Sequence, residues 1–252
     1  MTKSNYVQET KSSPEKLKER EILYSLFQNR PMPDDQLLTS LGLYMRSSAL
    51  AKILFVNELY EHIVNIPGVI MEFGTWWGQN LVLFENLRAI YEPFNQNRRI
   101  IGFDTFKGYL QVSDKDVKGE TIKEGGYTVS KGYQDYLNQV LSYHEKNNVL
   151  SNIKKHTLIA GDAGVTLPKF FKDNPETIVA LAYFDLALYE PTKKCLEALN
   201  PHLIRGSVIM FDELNSREYP GETVAFKEVF KATGFTLKRS RYMTDRTLAI
   251  MD

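Results

Sequence analysis

Short apolar runs alternate with amphipathic segments along most of the chain, and this alternation is the main evidence for its fold. Apolar runs predict buried strands, and apolar positions spaced three or four residues apart predict helices. The predicted strands are 69–73, 99–103, 156–160, 178–184, 207–211, 235–239 and 247–251. The predicted helices are 19–27, one or two within 37–66, 78–91, 133–147, 167–172, 191–199 and 223–233.

Five strand–helix repeats followed by two consecutive strands predict a doubly wound α/β fold. Its seven-stranded sheet should be mostly parallel, with one antiparallel strand near an edge. We expect a disordered tail over 1–18, a helical cap over 19–66 and the α/β domain over 67–252. The polar, Gly-rich stretch 107–131 follows the second strand, so it should form a lid or substrate wall at the ligand-binding edge.

Composition narrows the class of protein. The chain has 252 residues with 31 basic and 31 acidic side chains, so net charge favours neither nucleic acid nor an anionic membrane as a partner. No apolar run reaches the roughly 18 residues that a membrane span needs, and the first twenty residues are polar, which predicts a cytoplasmic protein. The single Cys195 excludes an intrachain disulfide. The apolar N-terminal helices suggest a homodimer interface.

The first strand ends in a turn that suits nucleotide binding. Gly74 and Gly78 allow the backbone to turn and to approach a ligand, and the helix that follows offers free N–H groups. Trp76 lies within this turn, where it could stack on a base or pack as core. The turn therefore predicts a nucleotide-type cofactor at this strand end.

Acidic residues follow the next two strands. Asp104 ends the second strand, where it could accept hydrogen bonds from ribose hydroxyls or stabilise a turn. Asp162 follows the third strand, where it could meet an adenine amine or cap the next helix. Beside Gly74, the ribose role is the better interpretation of Asp104, whereas both roles stay open for Asp162.

Three further carboxylates belong to the fourth and fifth strand ends. Asp185 ends the fourth strand, and Asp212 with Glu213 ends the fifth. Adjacent parallel strands bring these groups together, and like charges repel unless a cation or protons intervene. Such oxygens suit Mg²⁺ or Ca²⁺, and the alternative is solvated carboxylates with independent partners. The four histidines have no metal-binding spacing.

Taken together, these motifs resemble the class I S-adenosylmethionine-dependent methyltransferases, and more narrowly the macrocin O-methyltransferase family. The resemblance runs from about residue 40 to the C-terminus. The segments that carry it are 72–78, 102–108, 161–162, 184–192 and 210–213. It implies an S-adenosylmethionine-binding domain over 67–252 and methylation of sugar hydroxyls on antibiotics and related glycosides.

The resemblance also implies roles for individual residues. Asp185, Asp212 and Glu213 match the metal-binding and catalytic carboxylates, with Glu213 in place of the more usual Asp. The implied cofactor contacts are Glu72, Phe73, Gly74, Thr75, Trp76, Asn80, Asp104, Thr105, Phe106, Gly161, Asp162, Asp185 and Tyr189.

One position departs from the family pattern. A second Asp after the fourth strand is a proposed general base, and Ala187 occupies its place. Either another group acts as the base, or a bound metal lowers the pKa of the hydroxyl. A carboxylate, phosphate or amine acceptor would be a third explanation, because such an acceptor needs no strong base.

The predicted function is therefore an O-methyltransferase assisted by a divalent cation, Mg²⁺ by preference, that acts on a small polar acceptor such as a sugar, nucleotide sugar or glycoconjugate precursor. A nicotinamide-dependent oxidoreductase is an alternative, although the turn lacks Gly-x-Gly-x-x-Gly. A P-loop hydrolase is excluded because no Gly-Lys-Ser/Thr follows the glycine turn. A non-catalytic partner subunit is a further alternative, supported by Ala187.

Overall fold

The computed structural model describes residues 12–117, 122–231 and 233–252. The helices are α1 (Pro14–Gln28), α2 (Ser47–Ile63), α3 (Gln79–Tyr91), α4 (Tyr133–Lys146), α5 (Ala163–Asp173), α6 (Tyr189–Leu199) and α7 (Gly221–Phe230). The strands are β1 (Val69–Phe73), β2 (Ile100–Asp104), β3 (His156–Ala160), β4 (Val179–Phe184), β5 (Leu203–Phe211), β6 (Phe235–Arg239) and β7 (Thr247–Met251). Short 3-10 segments lie at Asp34–Gln36, Leu38–Tyr44 and Asn200–His202.

The strands form one sheet in the order β3-β2-β1-β4-β5-β7-β6. All pairs are parallel except those that involve β7, which is antiparallel to both neighbours. The predicted doubly wound, mostly parallel seven-stranded sheet is thereby confirmed. Phe73 is in register with Phe103 and Phe184, and Phe184 with Phe211, so the central strands end along one line.

Helices cover both faces of the sheet, which explains why its central strands are apolar throughout. Every residue of β1 and β4 is buried. On one face the strands pack with α5, α6 and α7, and on the other with α2, α3 and α4. The rings of Phe73 and Phe184 stack at 4.6 Å between centroids, directly beneath the strand ends that carry the candidate site.

Several predicted boundaries need correction. Residues 14–18, expected in the disordered tail, are the start of α1, because Ser13 accepts a hydrogen bond from Lys16 N and Pro14 suits a first helical turn. The part of that tail over 1–11 lies outside the described residues. β5 begins at Leu203, four residues before the prediction, since Gly206 and Arg205 obscure its pattern. In the described part of the chain, no helix is both long and apolar enough to cross a membrane.

Candidate active site

A cleft of about 1860 Å³ opens at the carboxyl ends of the parallel strands. Its floor includes the strand-end residues Gly74, Asp104, Asp185 and Asp212. The insertion after β2 and the turn between β6 and β7 form two of its walls. Pockets for one small ligand have about 300–1,000 Å³, so this cleft has room for two ligands side by side.

The floor is built on an unusually close contact between two strand ends. Gly74 has φ +89°, and a Cβ there would lie 2.1 Å from the carbonyl oxygen of Asp185. Only glycine fits this position, both for its φ and for the space. The backbone N–H of Trp76, which itself has φ +47°, donates to Asp104 Oδ2 at 2.7 Å. The turn that was predicted to bind a nucleotide is therefore tightly constrained.

Asp104 holds this turn from the neighbouring strand. Its Oδ1 accepts a hydrogen bond from Phe106 N at 2.6 Å, while Oδ2 accepts from Trp76 N. Burial raises the pKa of Asp104, and these N–H groups oppose the shift. Each carboxylate oxygen can accept more than one hydrogen bond. Asp104 can therefore hold the turn and still accept hydrogen bonds from ligand hydroxyls in the cleft.

Behind the turn lies a group of buried polar atoms with incomplete hydrogen bonding. Asn80 donates to Glu72 Oε1 at 2.7 Å, and burial raises the pKa of Glu72 to about 8. Four buried atoms here have no hydrogen-bond partner among the described residues: Glu72 Oε2, Thr75 Oγ1, Trp76 Nε1 and Asn80 Oδ1. Such atoms are rare in folded proteins and call for a partner. The turn therefore fits a polar cofactor that would bind against it.

The predicted cofactor contacts divide into two sets. Those that line the cleft are Gly74, Trp76, Asp104, Thr105, Gly161, Asp162, Asp185 and Tyr189. Those that are buried behind its surface are Glu72, Phe73, Thr75 and Asn80, and half-buried Phe106 packs on the α2–α4 side. Asp162 Oδ1 accepts from Gly164 N at 2.8 Å and so caps α5. The capping role of Asp162 is thus present, and the adenine role stays a prediction.

The three carboxylates predicted to act together all line the cleft, and Arg246 is paired with one of them. Arg246 Nε forms an ion pair with Asp212 Oδ1, and its Nη1 donates to the Asp212 carbonyl oxygen at 3.2 Å. Burial and the charge of Asp185 raise the pKa of Asp212 well above its usual range, and Arg246 opposes the shift. Burial raises the pKa of Glu213 to about 7. Asp185 is exposed to the solvent within the cleft. Because it lies deep in the cleft, loss of hydration nevertheless raises its pKa.

These residues do not form a preformed metal centre. Within the described residues, the one group of three His, Cys or acidic side chains with ligand atoms mutually within 4.8 Å is Glu85, Glu145 and His156, at the opposite edge of the sheet. Arg88 and Lys155 neutralise that group, with contacts of 2.6 Å to Glu85 and 2.9 Å to Glu145. At the candidate site, the guanidinium of Arg246 already contacts Asp212. A metal at Asp185, Asp212 and Glu213, as predicted from the sequence, would therefore require Arg246 to leave Asp212.

Ala187, which stands where the family pattern has its second Asp, lies in a strained loop after β4. Ala187 has φ +59°, and Leu188 N donates to Leu186 O at 2.6 Å across it, as in a γ-turn. Glu222 at the start of α7 braces this loop. Its Oε1 accepts from Leu186 N at 3.2 Å and Ala187 N at 3.3 Å, and its Oε2 accepts from Glu213 N at 3.0 Å. One buried carboxylate thus joins the loops after β4 and β5.

The insertion after β2 is anchored over the cleft, which agrees with its prediction as a wall. Asp116 Oδ1 accepts from Tyr189 N at 2.8 Å and so caps α6. Lys115 Nζ donates to Tyr189 OH at 2.8 Å and to Glu228 Oε1 at 2.7 Å. Ile122 of the insertion packs with Ala187, Leu188 and Tyr219. The insertion therefore rests on the same loop that Glu222 braces.

Sequence reasoning missed Arg246, Glu222 and Asp116. Their contacts to Asp212, Ala187 and Tyr189 join residues 34, 35 and 73 positions apart, and charged residues in loops or first helical turns are common. In the structure, a Cβ at Gly221 would lie 2.6 Å from Ala187 O, so this glycine lets α7 begin against the loop.

The fold and cleft define a class of protein: a methyltransferase of the doubly wound type, with carboxylates at successive strand ends. The chain belongs to the macrocin O-methyltransferase family, whose model, Macrocin-O-methyltransferase (TylF), matches residues 49–233.

Solved structures agree with this assignment. The calicheamicin methyltransferase CalS11 is 38% identical, with 98% of each chain covered and a TM-score of 0.92. A second structure, described as apo CalS11, a TDP-rhamnose 3'-O-methyltransferase of calicheamicin biosynthesis, is 36% identical over 97% of this chain and 96% of that chain, with a TM-score of 0.84. The O-methyltransferase NovP is 17% identical over 80% of this chain and 79% of that chain, with a TM-score of 0.57. At this identity the similarity shows the fold alone.

Two curated plant proteins match a shorter stretch. The thioredoxin-like protein CITRX of Solanum lycopersicum is 28% identical over 111 residues, 38% of this chain. The chain spans 63% of the length of these curated relatives, and the Solanum tuberosum protein matches equally. A thioredoxin-type redox site needs two cysteines, and this sequence contains only Cys195. This local likeness therefore carries no functional argument.

Proposed function

We propose that this protein is an S-adenosylmethionine-dependent O-methyltransferase that acts on a hydroxyl of a sugar, carried as a nucleotide sugar. The observation that supports it most is the 38% identity to CalS11 over 98% of both chains. Similarity of this extent argues for a related acceptor. The family assignment leaves no place for the nicotinamide or partner-subunit alternatives.

In this proposal the protein supplies position and charge. S-adenosylmethionine would bring an activated methyl group when bound. Gly74 permits close approach of the backbone, Asp104 holds the ribose hydroxyls, and the buried polar atoms behind Trp76 face the amino-acid end. The acceptor lies towards β5 and β7, where the cleft continues past Asp212. Alignment of the two ligands is the main catalytic contribution.

The hydroxyl proton needs an acceptor within the cleft. Ala187 offers none, and the carboxylates of Asp185 and Glu213 line the same cavity. The acceptor oxygen would form its bond to the methyl carbon as the carbon–sulfur bond of the donor breaks, and one of these carboxylates would take up the hydroxyl proton. A divalent cation on Asp185, Asp212 and Glu213 stays a prediction, supported by oxygen-donor chemistry and opposed by the Arg246 contact.

Titration of S-adenosylhomocysteine into the purified protein tests cofactor binding, first with Mg²⁺ and then with a chelator. Labelled S-adenosylmethionine with TDP-rhamnose then tests transfer, with free rhamnosides, carboxylate, phosphate and amine acceptors as comparisons. We expect cofactor binding under both conditions and label on a sugar oxygen. Failure to bind S-adenosylhomocysteine both with Mg²⁺ and with the chelator would refute the proposal.

The proposed homodimer rests on exposed apolar side chains near the N-terminus. α1 buries none of its residues, and the large exposed apolar side chains of this region include Ile22, Leu26, Leu38, Leu41, Leu43 and Leu50. Light scattering on the purified protein gives its mass in solution, and a monomer would contradict the dimer.

A further inference from the structure

The cleft changes charge from one end of the sheet edge to the other. Acidic residues follow β2, β4 and β5, where the cationic donor of a methyltransferase would lie. Arg246 is the last residue of the turn before β7. Lys238 and Arg239 end β6 on the same wall of the cleft. A ligand that spans this cleft would therefore meet carboxylates at one end and cations at the other.

Lys238 and Arg239 differ from most other cations on the cleft wall. Arg246 is paired with Asp212 and Asp245, and Lys115 with Glu228. Lys238 and Arg239 are exposed, and neither makes a hydrogen bond or ion pair with residues 12–117, 122–231 or 233–252. Lys194 is also unpaired in this described part, but it packs beside Gly164 at the cofactor end.

The sheet register gives the distance of this basic pair from the reacting end. Arg239 is paired with Thr247, and Thr247 with Phe211, the residue before Asp212. Two strand spacings amount to about 10 Å. One pyranose ring and the phosphate attached to it can bridge this distance, so a sugar hydroxyl near Asp212 would leave its phosphates near Arg239.

We propose that Arg239 binds the diphosphate of a nucleotide-sugar acceptor, with Lys238 adding positive charge nearby, and that this makes the enzyme prefer such acceptors to phosphate-free glycosides. This inference rests on the proposed function and assigns its acceptor specificity to β6. The guanidinium of Arg239 offers paired donors that match phosphate oxygens. Lys238 leaves the strand on the opposite face, towards Glu58 and His62, so it contributes charge and no direct contact. The threonines Thr244 and Thr247 line the same wall and add hydroxyl donors.

The test uses TDP as the probe, titrated into the full-length protein saturated with S-adenosylhomocysteine. We expect saturable TDP binding that weakens about 10-fold or more in Arg239→Ala, since a charge-assisted hydrogen bond is lost, and by a smaller factor in Lys238→Ala, where only nearby charge is lost. Binding should also weaken as salt rises. The matched control is Arg205→Ala, an exposed arginine at the opposite edge on β5, which should bind TDP as the unaltered protein does.

Two results would overturn the inference. One is absence of TDP binding in the unaltered protein, and the other is equal TDP affinity in Arg239→Ala and Arg205→Ala. Failure of S-adenosylhomocysteine binding would instead refute the proposed function itself. Kinetics would support the assigned role if Arg239→Ala raises KM for TDP-rhamnose. In the same variant, KM for methyl transfer to a phosphate-free rhamnoside should not change.

Discussion

Glu222 Oε1 accepts a hydrogen bond from the backbone N–H of Ala187 at 3.3 Å, and both residues are buried. The bond holds Ala187 in a left-handed conformation that L-residues rarely adopt. Because Glu222 also accepts from Glu213 N, the two loops that flank the reacting end of the cleft depend on one side chain. Substitution of Glu222 can therefore test how far activity depends on these loops.

The first prediction concerns Glu222→Gln. The amide would place an NH₂ group against one of the three N–H donors, so we expect a loss of about 1–3 kcal/mol in the free energy of unfolding. The loops would shift, and kcat should fall more than the affinity for S-adenosylhomocysteine. Urea denaturation and steady-state kinetics measure both effects. Glu197→Gln, an exposed change on α6, is the control, and full activity of Glu222→Gln would contradict the bracing role.

The second prediction concerns Asp104→Ala. This change removes the acceptor for Trp76 N and Phe106 N as well as the proposed contact to ribose. We expect the affinity for S-adenosylhomocysteine to fall about 10-fold to 100-fold, as two hydrogen bonds to a charged group are lost. Calorimetric titration measures this. An unaltered dissociation constant would show that Asp104 only supports the turn.

The third prediction concerns Asp212→Asn. Arg246 would lose its buried charged partner, and the reacting end of the cleft would lose one carboxylate. We expect turnover to be abolished, cofactor affinity to stay nearly intact, and stability to fall by up to about 3–5 kcal/mol. Asp245→Asn removes the exposed partner of Arg246 and should cost about 0–1 kcal/mol. Equal losses of turnover and cofactor affinity in Asp212→Asn would contradict the separate roles of Asp104 and Asp212.

The fourth prediction concerns Gly74→Ala. The added Cβ would lie 2.1 Å from the Asp185 carbonyl oxygen, so β1 and β4 would have to separate at the floor of the cleft. We expect lost S-adenosylhomocysteine binding and a destabilisation of about 2 kcal/mol or more, as for other strained backbone positions. Gly42→Ala is the control, because nothing lies within 4 Å of its added Cβ. Thermal unfolding measures the stability and calorimetry the binding. If Gly74→Ala leaves both unchanged, the close approach of Gly74 to the Asp185 carbonyl oxygen would be contradicted.

The fifth prediction concerns pH. Burial raises the pKa of Glu72 from 4.5 to about 8, so this side chain stays protonated in the fold while it ionises in the unfolded chain. Stability is therefore highest towards pH 5 and is lost as pH rises through about 8, with a slope of up to about 1.4 kcal/mol per pH unit for each proton. Urea denaturation across this range measures the slope. Glu72→Gln should flatten it, and a slope of opposite sign would refute the assignment.

Sequence patterns predicted the sheet well because its central strands are buried on both faces. β1, β3, β6 and β7 have the predicted bounds, and the acidic residues at strand ends do lie along one cleft. The same reasoning predicted a metal at three carboxylates. Spacing along a chain could not show that Arg246, in the turn before β7, contacts Asp212. Glu72 and Asn80 are buried beneath the turn, and their contacts with the cofactor stay predictions.

The proposed acceptor contacts lie on β6, four of whose five residues are exposed, whereas the cofactor turn follows β1, whose five residues are all buried. Mutations on the outer hairpin alter few packing contacts, and mutations beneath the turn alter many. Acceptor choice can therefore change during evolution while the methyl donor stays the same. Related enzymes should accordingly differ most at this hairpin when they modify different sugars.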